Sequence, residues 1–369
     1  MLKLKDICAK ASSSIAQKDL ENNEGIYPIY GASGFIKNVD FYHQEKPYIA
    51  IVKDGAGVGR VMKLPAKSSI IGTMQYIIPN DDIDISYLAY ALEHMNLAKY
   101  HTGATIPHIY FKDYGNELLN KHSSDEQIYI ADVLNRITEL IKKRKQQLSK
   151  LDELVKSRFI ELFGDPMDNP KGWDKVNISA VVGGKVSNGF FAKRDDYCDD
   201  GNVKVLGVAH VVNRMYSNTE GLPKTNGTEA DIAKYGVKYG DMLFCRSSLV
   251  AAGIGKASIV PKNVPSNVLF ECHVIRLPLE LTKCVPEFMQ VLSTTEYFRN
   301  QVIAQSKTAT MTTIGQDGIL KTDIILPPLE KQKQFLQFVE QTDKSKLAIQ
   351  KSLEQLETLK KSLMQQYFG

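Results

Sequence analysis

One stretch of this chain occurs twice. Residues 104–164 recur as 309–369 at a constant offset of 205 positions, without a gap. The shift superposes Ala104 on Ala309, Thr105 on Thr310, Ile109 on Ile314, Gln127 on Gln332, Leu148 on Leu353 and Leu151 on Leu356. Leu154, Lys156, Ser157 and Phe163-Gly164 then meet Leu359, Lys361, Ser362 and Phe368-Gly369. Each match alone is cheap, but one register held over the whole stretch is not. It constrains the chain to two tandem units, each a globular domain followed by a long helix.

The 369 residues, 43% hydrophobic and 24% charged, are enough for two proper cores. No stretch approaches eighteen consecutive apolar residues, and Met1-Leu2-Lys3-Leu4-Lys5-Asp6 lacks an apolar leader, so a cytoplasmic location with no membrane partner is expected. Five scattered cysteines (Cys8, Cys198, Cys245, Cys272, Cys284) without a Cys-x-x-Cys read as reduced thiols, with neither a disulfide framework nor a zinc ribbon. Basic and acidic residues balance by segment, 13 against 13 in 1–122, 8 against 8 in 123–165, 18 against 16 in 166–328 and 7 against 5 in 329–369. A plain basic excess is therefore missing, and any DNA binding requires charge sorted onto faces or supplied by partners.

Residues 1–122 carry short apolar runs at Ile26–Gly31, Tyr48–Val52 and Tyr76–Pro79, bounded by turn formers, and read as strands. Lys53-Asp54-Gly55-Ala56-Gly57-Val58-Gly59-Arg60 between them forces a tight turn or a close backbone approach, a plain hairpin being the simpler reading. Residues 86–100 show helical spacing with Ser86 as N-cap. From about Asp125, eight of ten heptad seam positions are apolar, Arg144 and Arg158 excepted, until Gly164-Asp165-Pro166 stops the helix. Residues 166–328 repeat the first plan at greater length. Val203–Gly207 answers Tyr27–Gly31, Met242–Cys245 answers Tyr48–Ile51, Ala252–Lys256 answers Ala56–Arg60, and Val274–Pro278 answers Gln75–Pro79. Trp173 opens this domain and reads as core. The helix at 329–369 keeps the heptad less strictly, with Thr342, Lys346 and Lys360 on its seam.

The expected architecture is α+β. Two mixed α/β domains (1–122 and 166–328) alternate with two long helices (123–165 and 329–369) that pair as an antiparallel coiled coil in a pseudo-twofold repeat. Such pairing would bring Arg144 and Arg158 to Glu354, Glu357 or Glu340. The alternative is that each helix packs on its own domain alone.

Catalytic signatures are missing. Gly253-Ile254-Gly255-Lys256-Ala257 has Ala where a phosphate loop needs Ser or Thr for magnesium, and Val250 where its first glycine belongs. No Gly-x-Ser-x-Gly, His-Glu-x-x-His or Asn/Asp-Pro-Pro-Tyr/Phe occurs, which argues against a stand-alone methyltransferase or nuclease. What remains suits recognition. A helix of about 39 residues is ~58 Å long at ~1.5 Å per residue, an upper bound on how far it could space two heads along a duplex.

In its head-helix-head-helix order, in Gly-Ala-Thr-Ile-Pro-His-Ile (103–109), in Leu326-Pro327-Pro328-Leu329-Glu330-Lys331-Gln332 and in Gly172-Trp173, the chain resembles the specificity subunits of type I restriction-modification enzymes. Two departures stand out: the first head has no Gly-Trp opening, and Thr308–Ile314 replaces the 103–109 stretch. The resemblance implies a non-catalytic subunit whose two heads are target recognition domains. Each would read one part of an asymmetric bipartite sequence in double-stranded DNA. The helices would form a spacer that docks two methyltransferase subunits, joined by a motor-nuclease subunit for cleavage. It places S-adenosylmethionine and ATP on those partners and no cofactor or metal in this chain. Cations suit phosphates or guanine, and hydroxyls and His suit base edges or backbone. The candidate DNA contacts are therefore Lys53, Arg60, Lys63, Lys67, Thr105, His108 and Tyr110 in the first head. In the second they are Lys193, Arg194, Arg214, Arg246, Lys256, Lys262, Lys307, Thr310, Thr312 and Thr313. The competing class is a coiled-coil scaffold with paired ligand-binding heads unrelated to DNA.

Overall fold

The computed structural model describes every residue except Ala104 and Lys121, so the first residue of the repeated stretch lies outside the described residues. The chain divides into two compact units, Met1–Gln147 with Ile349–Gly369, and Leu148–Ala348.

In the first unit, strands β1 (Cys8–Ser12), β2 (Tyr48–Val52), β3 (Val61–Leu64) and β4 (Met74–Pro79) form an antiparallel sheet in the order β1-β4-β2-β3. All five residues of β2 are buried, because both faces of this inner strand are covered. Ile49 and Ile51 join Ile77, Leu88 and Leu92 in one core, while Tyr48, Ala50 and Val52 point the other way toward Ile70 and Tyr76. The helix Ile85–His94 is capped by Asp84, whose carboxylate accepts from the Ser86 and Tyr87 N–H groups, both at 2.8 Å. Ser86, expected as the cap, sits in the first turn instead; the Asp carboxylate is the stronger acceptor for the exposed N–H groups.

The second unit repeats the plan. Strand β5 (Asp241–Cys245), again buried at all five positions, lies between β6 (Ala257–Ile259) and β7 (Val274–Pro278). The parallel pairing of Val203–Leu206 with Val268–Phe270 answers that of Tyr27–Gly31 with Ser69–Ile70. One correspondence shifts by a residue. Val52 N–H donates to Arg60 O at 3.0 Å, and Cys245 N–H to Lys256 O at 2.8 Å, so Cys245 is the counterpart of Val52 rather than Ile51. A strand buried on both faces has no polar alternation to fix its register from sequence. Among the cysteines, all free, burial pushes the Cys8 and Cys284 thiols up to about 12.

Each long helix, Ser124–Phe163 and Leu329–Phe368, is an uninterrupted run of 40 residues. Ser123 and Glu126 cap the first reciprocally, with Ser123 N–H donating to the Glu126 carboxylate at 2.7 Å. Gly164 ends it at φ +77°, where a Cβ would meet the Pro170 ring at 2.6 Å. Trp173 is half-buried, and its indole N–H donates to the orphan Phe163 carbonyl at 2.8 Å.

Within each unit the two helices run antiparallel. In the first, Ile130, Ala131 and Leu134 pack with Met364, and Lys145 pairs with Glu357 at 2.9 Å. In the second, the Phe159 and Phe163 rings meet Phe335 and Phe288, and Lys346 pairs with Asp152 at 2.6 Å. Arg144 and Arg158 do not find the expected glutamates of the other helix. They donate to Gln147 and Glu161 one turn on in their own helix, and Arg158 also lies over the Phe338 ring. Each helix also packs on its head. Gln127 and Gln332, matched in the repeat and 4% and 0% exposed, play one role in both units. Gln127 accepts from Asp84 N–H at 3.0 Å and Gln332 from Val285 N–H at 2.8 Å, each at the start of the head's own helix, while their amides donate to His122 and Pro327 carbonyls.

Gln332→Ala would leave the buried Val285 N–H and Pro327 carbonyl unpaired, at a cost of about 1–3 kcal/mol each. Urea unfolding is expected to show a loss of at least about 2 kcal/mol; an unchanged midpoint would remove the glutamine from this role.

Candidate nucleic-acid interface

In the first unit the glycine turn and the repeated stretch meet. Ile109 N–H donates to Lys53 O at 2.9 Å, Gly55 N–H to Pro107 O at 2.9 Å, and the His108 ring Nδ1 lies 2.8 Å from an Asp54 carboxylate oxygen. Lys53 and His108 thus share one edge with the exposed Thr105 and Tyr110. The Arg60 guanidinium donates to Ala32 O at 2.8 Å. Lys63 and Lys67 are elsewhere: Lys63 donates to Ser86 Oγ at 2.8 Å, and Lys67, at φ +52°, stands 3.9 Å from Glu45.

The same edge recurs in the second unit. Ile314 N–H donates to Arg246 O at 3.0 Å, which makes Arg246 the counterpart of Lys53 and Thr313 that of His108. Ser247–Ser248, Thr312–Thr313 and Lys307–Thr308 form a three-stranded ribbon with Ser247 opposite Thr313. Arg246 also donates to Cys272 O at 3.2 Å, and His273 Nδ1 lies 3.1 Å from Ser247 Oγ. Lys307, Thr310 and Thr313 are exposed; Thr312 is buried with its hydroxyl shared with Thr308 at 3.0 Å. Lys193 and Arg194 are exposed on a separate turn. Lys262 is taken by Glu340 of the second long helix at 2.9 Å and lies over the Tyr239 ring. Arg214 and Lys256 line a cavity rather than this edge.

The glycine turn is more than a plain hairpin. Gly59 (φ +84°) and Gly255 (φ +62°) are matched by their N–H bonds to Val52 O and Cys245 O, both 2.8 Å, and both back onto a helical turn of the head. A Cβ would meet Ala98 N at 2.5 Å in the first and Val302 Cγ1 at 2.3 Å in the second. Between these anchors the loops differ in length: residues 54–58 in the first unit, residues 247–254 in the second. The longer loop holds Leu249 and Val250 out at 81% and 63% exposure. Sequence reading missed these two, along with Asp54, Ser247 and His273. Their signal is the pairing of the turn with a stretch some fifty or more residues away, which no local pattern carries.

Gly255→Ala forces both a left-handed alanine and a clash, and is expected to destabilise the chain by about 1–3 kcal/mol in a thermal or urea melt. Gly172→Ala (φ +65°, nothing within 4 Å of its Cβ) meets the backbone strain alone, so equal losses at both positions would contradict the close-approach argument.

Among the described residues no cluster of His, Cys, Asp or Glu could hold a metal ion, and no helix is long and apolar enough to cross a membrane. The family model described as the type I restriction modification DNA specificity domain matches residues 1–150 and again 170–360. The specificity subunit of the type I restriction enzyme MjaVIII of Methanocaldococcus jannaschii is 25% identical over 93% of this chain and 85% of its own length. The EcoKI specificity subunit of Escherichia coli K12 is 23% identical over 58% of this chain and 48% of its own length. The fold is similar to the crystal structure of a type I restriction-modification S subunit from M. genitalium, with a TM-score of 0.61 at 13% identity over 100% of this chain and 95% of the other. It is also similar to a chain from a structural study of complex assembly and conformational transition of the type I system, with a TM-score of 0.51 at 13% identity over 99% and 96%.

Proposed function

The chain belongs to the type I restriction-modification DNA specificity family, and from that premise we propose that each of its heads reads one half of an asymmetric, bipartite site in double-stranded DNA. It is a non-catalytic DNA-specificity subunit of a type I restriction-modification complex. The observation that supports two separate readings is the matched edge. Lys53, His108, Tyr110 and the short loop 54–58 in one head stand where Arg246, Thr313, Gly315 and the longer loop 247–254 stand in the other, on one backbone plan. Equal scaffolds with unequal side chains suit two unequal half-sites.

The antiparallel helices act as the spacer. Their exposed apolar residues, among them Ile128 and Tyr129 at 53% and 63% exposure and Leu347 at 71%, are offered to the two methyltransferase subunits. A motor-nuclease subunit joins for cleavage. S-adenosylmethionine and ATP belong to these partners, and the complex works in the cytoplasm. A scaffold unrelated to DNA is disfavoured by the family match to both halves of the chain.

With the co-expressed methyltransferase bound, Arg246→Ala is expected to weaken binding to the cognate duplex by about 1–3 kcal/mol, relaxing discrimination at one position if it reads guanine, or by a smaller uniform loss with a shallower salt slope if it holds a phosphate. Fluorescence anisotropy across a salt series measures both. Unchanged affinity and slope would remove Arg246 from the interface.

A further inference from the structure

The second unit contains a cavity of about 470 Å³, within the usual ~300–1,000 Å³ of ligand sites. Five cations line it, Lys156, Arg214, Lys256, Arg299 and Lys346, against one carboxylate, Asp152. That carboxylate is already committed, since Lys346 holds it at 2.6 Å and also stands 3.8 Å from Asp343. The other four cations are in no ion pair among the described residues. Lys256 donates to the neutral Asn213 Oδ1 at 2.7 Å, and Arg214 to the Val212 and Ala209 carbonyls at 3.3 and 3.2 Å. Arg299 donates one terminal nitrogen to Ala252 O at 3.2 Å, while its other terminal nitrogen is buried without a hydrogen bond. Burial pulls the Arg299 guanidinium below its ordinary range.

The wall is built rather than incidental. Gln290, 5% exposed, donates to the carbonyls of Arg214 and Ala257 at 3.1 and 3.3 Å and so fixes the backbone on both sides of the cations. The cavity's charge follows the repeat only in part. At the offset of 205, Lys361 stands for Lys156 and Glu357 for Asp152, but Ile141 stands for Lys346, and Arg60, the counterpart of Lys256, spends its guanidinium on Ala32 O.

We propose that this cavity is a phosphate-binding site, with Arg299, Arg214, Lys256 and Lys156 as its anion contacts. Converging cations without counter-charges repel one another, and a partly buried arginine with an unused N–H costs more than an exposed one. A tetrahedral oxyanion answers both, because it accepts from several directions and matches the guanidinium fork. The volume exceeds that of a lone phosphate and suits a phosphate ester about the size of a nucleotide. The site adjoins the proposed DNA-reading edge, since Arg299 holds the Ala252 carbonyl of the longer loop. The phosphate has two possible sources, a free nucleotide-like ester or the backbone of a nucleic acid.

The test uses the full chain, with inorganic phosphate and ATP as probes and chloride at matched ionic strength as reference. Calorimetry and thermal melting are expected to show saturable binding and stabilisation by phosphate, tighter with ATP. Arg299→Met and Lys156→Glu each weaken ATP by at least about tenfold; Lys156 is exposed, so its variant keeps the fold and leaves the test standing if the Arg299 variant does not. No stabilisation beyond chloride, or ATP binding unmoved by Lys156→Glu, would overturn the proposal. A short random-sequence duplex then assigns the source. If it displaces ATP and loses affinity in Lys156→Glu by the same factor, the backbone is the occupant; if ATP stays bound, the occupant is a small phosphate ester.

Discussion

Two apolar seams, each running along a helix of 40 residues, are the constraint on which the rest of the structure depends. A helix with eight of ten seam positions apolar cannot stand alone in water, and its stability comes from what covers that face. Here the seam is covered twice over, by the antiparallel partner helix and by the head. Phe159, Phe163 and Phe335, at 1% exposure or less, close it in the second unit, and Leu134 at 0% does so in the first. The polar breaks in the second seam are each used. Lys346 reaches Asp152, Lys360 reaches Glu93 and lies over the Tyr90 ring, and Thr342 donates to the Phe338 carbonyl of its own helix. Gln127 and Gln332 then orient each helix on its head. A buried amide needs its partners, so the helix can seat in one position and not in a slipped one.

Duplication gives two heads with one backbone plan, and function separates them at their edges. Lys53 and Arg246, His108 and Thr313, occupy equivalent places with different chemistry. The strands behind them are held by buried residues on both faces, so change is cheap in the loop and costly in the sheet. The glycine ending each turn has little room to change, since a Cβ would meet the Ala98 backbone in the first head and the Val302 side chain in the second. This division of labour lets the edge diverge while its support stays fixed.

Much of this was legible in the sequence. The repeat gave two similar heads but not the compact units, because each long helix is divided between both units rather than belonging to one tandem half. The heptad gave both helices to within a residue or two of their ends, and Gly164-Asp165-Pro166 marked a stop. The seam arginines misled, because heptad positions name a face and not a partner. Arg144 turned to Gln147 and Arg158 to Glu161, while the neighbouring Lys145 reached Glu357. Register within the buried strands was hidden by their uniform apolarity, which is why Cys245 was matched one residue away from Val52. Of the candidate contacts, those beside the repeated stretch came together, whereas Lys63 and Lys262 were drawn into contacts with Ser86 and Glu340. Long side chains near helices settle on the nearest acceptor, and sequence does not show which acceptor that is. The cavity was invisible for the same reason, since its cations come from five separate segments.

The central claim is that two heads read two separate half-sites at a spacing fixed by the helices. The most direct measurement is base-resolution sequencing of methylated adenines in DNA from cells carrying this chain with its methyltransferase, compared with the same cells after residues 166–328 are exchanged for the second head of a relative. The account predicts one bipartite motif with a fixed gap, in which the exchange rewrites one half and leaves the other half and the gap intact. A contiguous motif, or an exchange that alters both halves together, would contradict it.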